Sequence, residues 1–307
     1  MFLFSMTSFL VLLSLGSFLM NSLVIFVIIR NKQLQNTQSY YKISIAVSDV
    51  IVAICVIPSI LYNLWYFVIA GSQNFSEAYL VTFGSILFCT ALVTLYSFVF
   101  AAADRLFVVL FPLLYKAHNI KRVSKLICQA LWFFCTFVSL VPVLLPLKFS
   151  YVVFMSSLII VSGKNVENYM LISLGIGNVL VVIFSMLAFL VIWMNTNKTK
   201  RLTTNHKTLF QTEIKLAKNM LLMVFAFILM TSPLTVVFIL LINRPKFINE
   251  LLNDDQNKNF LQSLVYVSYN LYICGAIWNF IIYLVKNKSF RRSLIHEIKN
   301  LKRLFKS

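Results

Sequence analysis

Two neighbouring charges, Asp104 and Arg105, close a long apolar segment of this 307-residue chain, and a further acid, Asp49, stands inside another. Charges at or below the edge of a bilayer are costly and are usually kept for function. The run Asp104-Arg105-Leu106, followed by Pro112-Leu113-Leu114-Tyr115, reads as an ion pair at the inner end of a spanning helix. Such a pair can hold a helix bundle closed, or release Arg105 to meet an intracellular partner. Asp49, in Ile45-Ala46-Val47-Ser48-Asp49, needs a cation, a proton or hydrogen-bond donors around it. Thr94 lies ten residues before Asp104, nearly three helical turns deeper, and Asn279 sits in the last apolar segment. Asp49, Thr94 and Asn279 therefore mark a small polar pocket mid-bundle, where a sodium ion is one candidate occupant beside a proton or hydrogen-bond donors. Catalytic chemistry finds no comparable set. His118, His206 and His296 fall outside the apolar segments, no carboxylate pair or cysteine cluster has metal-ligand spacing, and the seven glycines form no phosphate loop. A receptor is expected, not an enzyme.

The elements that must carry these residues follow from composition. Hydrophobic residues make up 60% of the chain and charged ones only 12%, which marks an integral membrane protein. A spanning helix needs about 20 mostly apolar residues, and runs of that kind lie near 2–29, 43–69, 79–111, 126–147, 168–194, 219–243 and 260–285. The expected fold is an all-α membrane protein, a seven-transmembrane helix bundle over 1–286 with a cytoplasmic amphipathic eighth helix in 287–307. A shorter apolar stretch, Phe149 to Val161, is rich in Val, Ile, Tyr and Ser and fits an extracellular hairpin. The longest intracellular connection is expected over roughly Asn195 to Leu216.

Most of the 27 Lys and Arg fall in alternate connections and the tail, so the net charge of +18 is a topology signal. It puts the N-terminus outside and the C-terminus in the cytoplasm, in a multi-pass protein of the plasma membrane. Cations spread over every second loop are poor evidence for nucleic-acid binding. The first segment has no basic n-region and no small-residue cleavage site before Asn21, so it reads as a span and not a removable signal peptide. The sequon Asn74-Phe75-Ser76 lies in the first outside loop and makes Asn74 a glycosylation candidate, whereas Asn197 and Asn287 fall inside. Cys55, Cys89, Cys128, Cys135 and Cys274 all lie in spans, where free thiols packed as small hydrophobes are expected. In the tail, Phe290, Leu294, Ile298, Leu301 and Phe305 recur at helical spacing between Arg and Lys, which suits a helix lying on anionic membrane lipid.

Taken together, these residues resemble the rhodopsin-like, or class A, G protein-coupled receptors. Asn21 matches the Asn of the family's first helix, and Ile45-Ala46-x-x-Asp49 its Leu-Ala-x-x-Asp. Asp104-Arg105-Leu106 stands for Asp-Arg-Tyr, and Trp132 and Pro142 suit the fourth helix. Phe227 and Pro233 suit the Phe-x-x-Cys-Trp-x-Pro of the sixth. Asn279-Phe280-x-x-Tyr283 stands for Asn-Pro-x-x-Tyr, with Phe290-Arg291 opening the eighth helix. The resemblance implies a heterotrimeric G protein as partner and a small-molecule or peptide ligand. It also implies a switch made of Asp104, Arg105, Glu213, Phe227, Pro233, Asn279 and Tyr283. Glu213 lies 20 residues before Pro233, where many members carry an acid that pairs with Arg105's counterpart at rest.

Departures from the family are equally specific. Leu80 stands where most members place a disulfide cysteine, Thr231 replaces the toggle tryptophan, Phe280 replaces the helix-seven proline, Leu106 replaces Tyr, and the fifth helix has no proline. These suit a divergent member, a chemosensory or orphan receptor, and also allow a non-signalling or decoy copy. Leu87 at the amine-receptor Asp position and Ile273 at the retinal-lysine position disfavour amine and retinal ligands. Tyr62, Asn63, Trp65, Leu87, Phe88, Ala91, Thr235, Phe238, Tyr266, Tyr269 and Asn270 leave a mostly apolar, aromatic lining suited to a small, largely neutral ligand. A seven-span channel or transporter is a weaker alternative, since Asp49 is the only acid deep in a span.

Overall fold

In a computed structural model of the chain, residues 2–65, 77–111, 115, 120–145, 150–154, 158–162, 164–198, 204–243 and 255–304 are described, with side chains for most of them. Eight α-helices appear among these residues: α1 Phe2–Arg30, α2 Thr37–Trp65, α3 Glu77–Leu110, α4 Ile120–Leu144, α5 Lys164–Lys198, α6 Thr204–Asn243, α7 Asp255–Lys286 and α8 Lys288–Leu304. A short 3-10 turn, Lys32–Leu34, joins α1 to α2. Helices are what hydrocarbon demands, because each satisfies its own backbone. Six of them, α1 to α5 and α7, are long and apolar enough to span a bilayer, while α6 shows a shorter apolar stretch, Leu221–Val237, among its described residues. The expected hairpin forms as β1 Ser150–Phe154 paired antiparallel with β2 Leu158–Ser162.

The bundle turns its large apolar side chains outward and its polar ones inward, as a lipid environment requires. On α4, Phe133, Phe134 and Phe137 are exposed, as are Ile172, Ile176 and Val179 on α5. Ser17, Asn21, Ser44, Ser48, Asp49, Thr90, Thr94, Ser97 and Asn279 are buried. Val24, Ile45, Leu95, Phe98, Val181, Val224, Phe280 and Phe290 form the largest apolar cluster. A second unites Leu10, Val52, Val56, Leu234, Val237, Tyr269 and Ile273.

A proline inside a helix costs a backbone hydrogen bond, and at Pro142 and Pro233 the freed carbonyl finds a substitute donor. Pro142 orphans the Val138 carbonyl, which accepts the Tyr169 hydroxyl of α5 at 2.9 Å. Pro233 orphans that of Leu229, which accepts the Ser232 hydroxyl at 3.4 Å. With no proline of its own, α5 approaches α3 at Gly177, where a Cβ would stand 2.4 Å from Leu95 Cδ2.

One expectation is corrected. The connection expected over Asn195–Leu216 is mostly helix, since α5 runs to Lys198 and α6 begins at Thr204. That stretch contains no Gly or Pro to break a helix, so both helices run past their apolar segments, Asn168–Val191 and Leu221–Val237.

Candidate functional site

The polar interior begins between α2 and α7. Asn279 Nδ2 donates to Asp49 Oδ2 at 3.3 Å, and both residues are buried. Thr94 comes to the same place from α3, but its hydroxyl donates to Ser48 Oγ at 2.8 Å, and Ser48 in turn donates to the Thr90 carbonyl. Asp49, Thr94 and Asn279 thus line one cavity of about 20 Å³, together with Val52, Phe227, Thr231, Tyr272, Ile273, Gly275 and Ala276. That volume holds little more than one water molecule or one small cation. Asn21 supports the back of this zone by donating to the Ala276 carbonyl at 3.3 Å, which fixes α1 on α7.

At the end of α3, Arg105 Nη2 lies 2.7 Å from Asp104 Oδ2, and Nε reaches the same oxygen at 3.2 Å. The Tyr115 hydroxyl donates to Asp104 Oδ1 at 3.3 Å. Both charged residues are buried, which removes water from the pair and strengthens it. Arg105 is therefore held by its own neighbour. Glu213 lies on α6, but its side chain is outside the described residues, as are Pro112, Leu113 and Leu114. Phe227 packs on Phe98 with ring centroids 4.7 Å apart, joining α6 to α3 between the two polar zones.

Tyr283 is buried, and its hydroxyl has no hydrogen-bond partner among the described residues. Its ring lies 5.0 Å from Lys42 Nζ and 6.0 Å from the Phe290 ring. Phe280, where the family has proline, makes an edge contact with Phe290 at 6.3 Å, and α7 runs unbroken through it.

The expected ligand lining is only partly brought together. Leu87 and Tyr269 join one cluster near the cavity, with Tyr272 stacked on Tyr269 at 6.2 Å. Phe88 turns instead to Leu92, Val93, Leu131 and Cys135, since successive residues on a helix point about 100° apart. Thr235 and Asn270 spend their donors on the Thr231 and Tyr266 carbonyls of their own helices. Tyr266 is fully buried, and Ala91 is partly buried on α3. Phe238, Tyr62, Asn63 and Trp65, as well as the sequon residue Asn74, lie outside the described side chains.

Several contacts were not anticipated. Lys42 lies seven residues before Asp49 and therefore on the same face of α2, where its ammonium meets the Tyr283 ring. Glu297, the only acid in the tail, is buried and pairs with Arg30 of α1 at 3.2 Å. Arg291 donates to the Leu284 carbonyl at 3.3 Å, and the Asn287 side chain accepts the Phe290 amide at 3.1 Å. These contacts hinge α8 tightly onto α7.

A helix bundle of this order, with an apolar outer face, a polar interior and an amphipathic eighth helix, defines a multi-pass membrane receptor fold. The family model described as "7 transmembrane receptor (rhodopsin family)" matches residues 20–283, and the chain belongs to that family. Among curated proteins it is similar to the alpha-2B adrenergic receptors of Didelphis virginiana and Dugong dugon. Each is 30% identical over 128 residues, which is 40% of this chain and 31% of the relative. The match thus spans about a third of those relatives' length. The crystal structure of squid rhodopsin superposes with a TM-score of 0.79 at 18% identity, covering 97% of this chain and 86% of that one, a likeness of fold.

Proposed function

We propose that the chain senses an extracellular ligand and transmits that event to a heterotrimeric G protein through opening of α6. The observation that carries this reading is the buried Asp104–Arg105 pair with Tyr115 at the inner end of α3. A guanidinium held at a helix end by a neighbouring carboxylate can be released without unfolding anything, and once released it offers donors to a partner inserted between the helices. Glu213 on α6 is the second arm of the latch, so that outward movement of α6 frees Arg105. Pro233, which weakens the α6 backbone ladder, gives the helix a place to swing.

Under this reading the N-terminus and the Asn74 sequon face outside at the plasma membrane, and α8 lies on the inner leaflet. The ligand is small and mostly neutral, because Leu87, Tyr269 and Tyr272 offer apolar and aromatic surface and no charge. The sodium proposal is consistent with the donor set. Asp49 supplies charge, Thr94, Thr231, Tyr272 and Asn279 supply oxygen, and the cavity has the size of a single small cation. A bound sodium ion would offset the Asp49 charge and stiffen the closed bundle.

A second reading, a non-signalling receptor, is favoured by Thr231 and Phe280, which alter the two positions the family uses to couple ligand to helix movement. Ligand-free G protein reporters in cells separate the two. Glu213→Ala at matched surface expression is expected to raise basal signalling over the parent chain. Basal signalling that stays at the background of empty cells in both would favour the non-signalling reading.

A further inference from the structure

Lys42 is a partly buried cation whose place inside α2 orientation alone does not require. It lies more than a turn inside α2 and is partly buried, whereas Lys32, Lys121, Arg122 and Lys125 are exposed. Among the described residues no carboxylate is within ion-pair distance of it. Its ammonium instead sits 5.0 Å from the centroid of the Tyr283 ring, well inside the distance at which an aromatic quadrupole attracts a cation. The Tyr283 ring is buried and Lys42 partly so, which strengthens the attraction relative to an exposed pair.

Tyr283 divides its two functional groups between this contact and none. Its ring faces Lys42 and meets Phe290 of α8 at 6.0 Å. Its hydroxyl is buried without a partner among the described residues. A buried, unpaired hydroxyl is a cost carried by this arrangement of the bundle. The ring is thus engaged in this arrangement, while the hydroxyl is not.

We propose that Lys42 is the positioning residue that holds Tyr283, through a cation–π grip binding the inner end of α7 to α2, and that loss of this grip lets Tyr283 leave. The grip rests on geometry alone. Its consequence for signalling rests on the G protein reading above.

The test replaces position 283, in the full-length chain in lipid nanodiscs, with phenylalanine and then with phenylalanines of increasing ring fluorination. Fluorine draws charge from the ring face while keeping its shape, so packing is preserved as the cation–π attraction fades. Tyr283→Phe itself is expected to be neutral or mildly stabilising, since it removes only the unpaired hydroxyl. The melting temperature is then expected to fall stepwise with each added fluorine in the Lys42 chain and in Lys42→Arg, which keeps a cation. In Lys42→Met, of similar length without charge, the series is expected to be flat. A series of equal slope with and without the Lys42 charge, or one flat in every background, would overturn the proposal. These readouts need no partner protein. A graded melting temperature beside flat reporter activity would sustain the grip and count against the coupling reading alone.

Discussion

Replacing Gly177 with Ala sets two opposed effects against each other at a single methyl group. In a helix interior Ala is favoured over Gly by about 1 kcal/mol. At this position, however, the new Cβ would stand 2.4 Å from Leu95 Cδ2 and 2.9 Å from Cγ, with the Tyr96 ring at 3.4 Å. Leu95 could yield cheaply if it had room to rotate, but it is 2% exposed and packed in the main core cluster. Overpacking of that kind costs roughly 1–3 kcal/mol, so Gly177→Ala should destabilise the bundle by up to about 2 kcal/mol. Leu95→Ala removes the obstructing atoms, itself costing about 2–5 kcal/mol. Within that background Gly177→Ala should stabilise by about 1 kcal/mol, because only the helix-propensity effect is left. The assay is thermal melting of the purified receptor and the three variants in nanodiscs. The signature is a reversal of sign for the same methyl group, and a Gly177→Ala effect of the same sign in both backgrounds would refute the reasoning.

Three further outcomes are expected. Tyr169→Phe should cost about 1–3 kcal/mol by leaving the Val138 carbonyl unpaired. In the Pro142→Ala background, where a backbone N–H can reach that carbonyl, the loss should disappear from the melting curve. Glu297→Gln should loosen α8 from α1. Because Arg30 is 62% exposed, the pair is worth about 1 kcal/mol or less, so amide hydrogen exchange in α8 should quicken by no more than roughly fivefold. Sodium chloride should raise the melting temperature above that in choline chloride for the parent chain, and equal values in the two salts would dismiss the cation site. Asp49→Asn should remove the difference.

The legible and illegible parts of this molecule divide on physical grounds. Span positions were readable because bilayer thickness imposes a length and a composition on every helix. The β1–β2 hairpin was readable because its apolar run was too short to span and rich in β-branched residues. Asp49 and Asn279 meet as expected, since a buried carboxylate needs a donor and few polar residues reach that depth. Contacts that depend on helix rotation were not readable. Thr94 chose Ser48 as acceptor, Phe88 faced Leu131, and Lys42 found an aromatic ring where a charge count offered only a loop cation. The extension of α5 and α6 beyond their apolar segments was hidden because polarity alone does not distinguish a loop from a solvated helix, although no Gly or Pro interrupts 195–216. The Tyr169–Val138 repair was likewise invisible, because Pro142 shows in the sequence which hydrogen bond is lost but not which neighbour replaces it.

Nucleotide exchange on a panel of purified heterotrimeric G proteins, measured with the receptor reconstituted in nanodiscs, tests the central claim most directly. The account predicts that the parent chain accelerates exchange on at least one of them, that Glu213→Ala accelerates it further, and that Arg105→Ala abolishes the effect in receptor that is still folded at the assay temperature, with a lowered melting temperature from the unpaired Asp104. Exchange left at its spontaneous rate by folded parent and Glu213→Ala receptors, on every G protein tested, would contradict it.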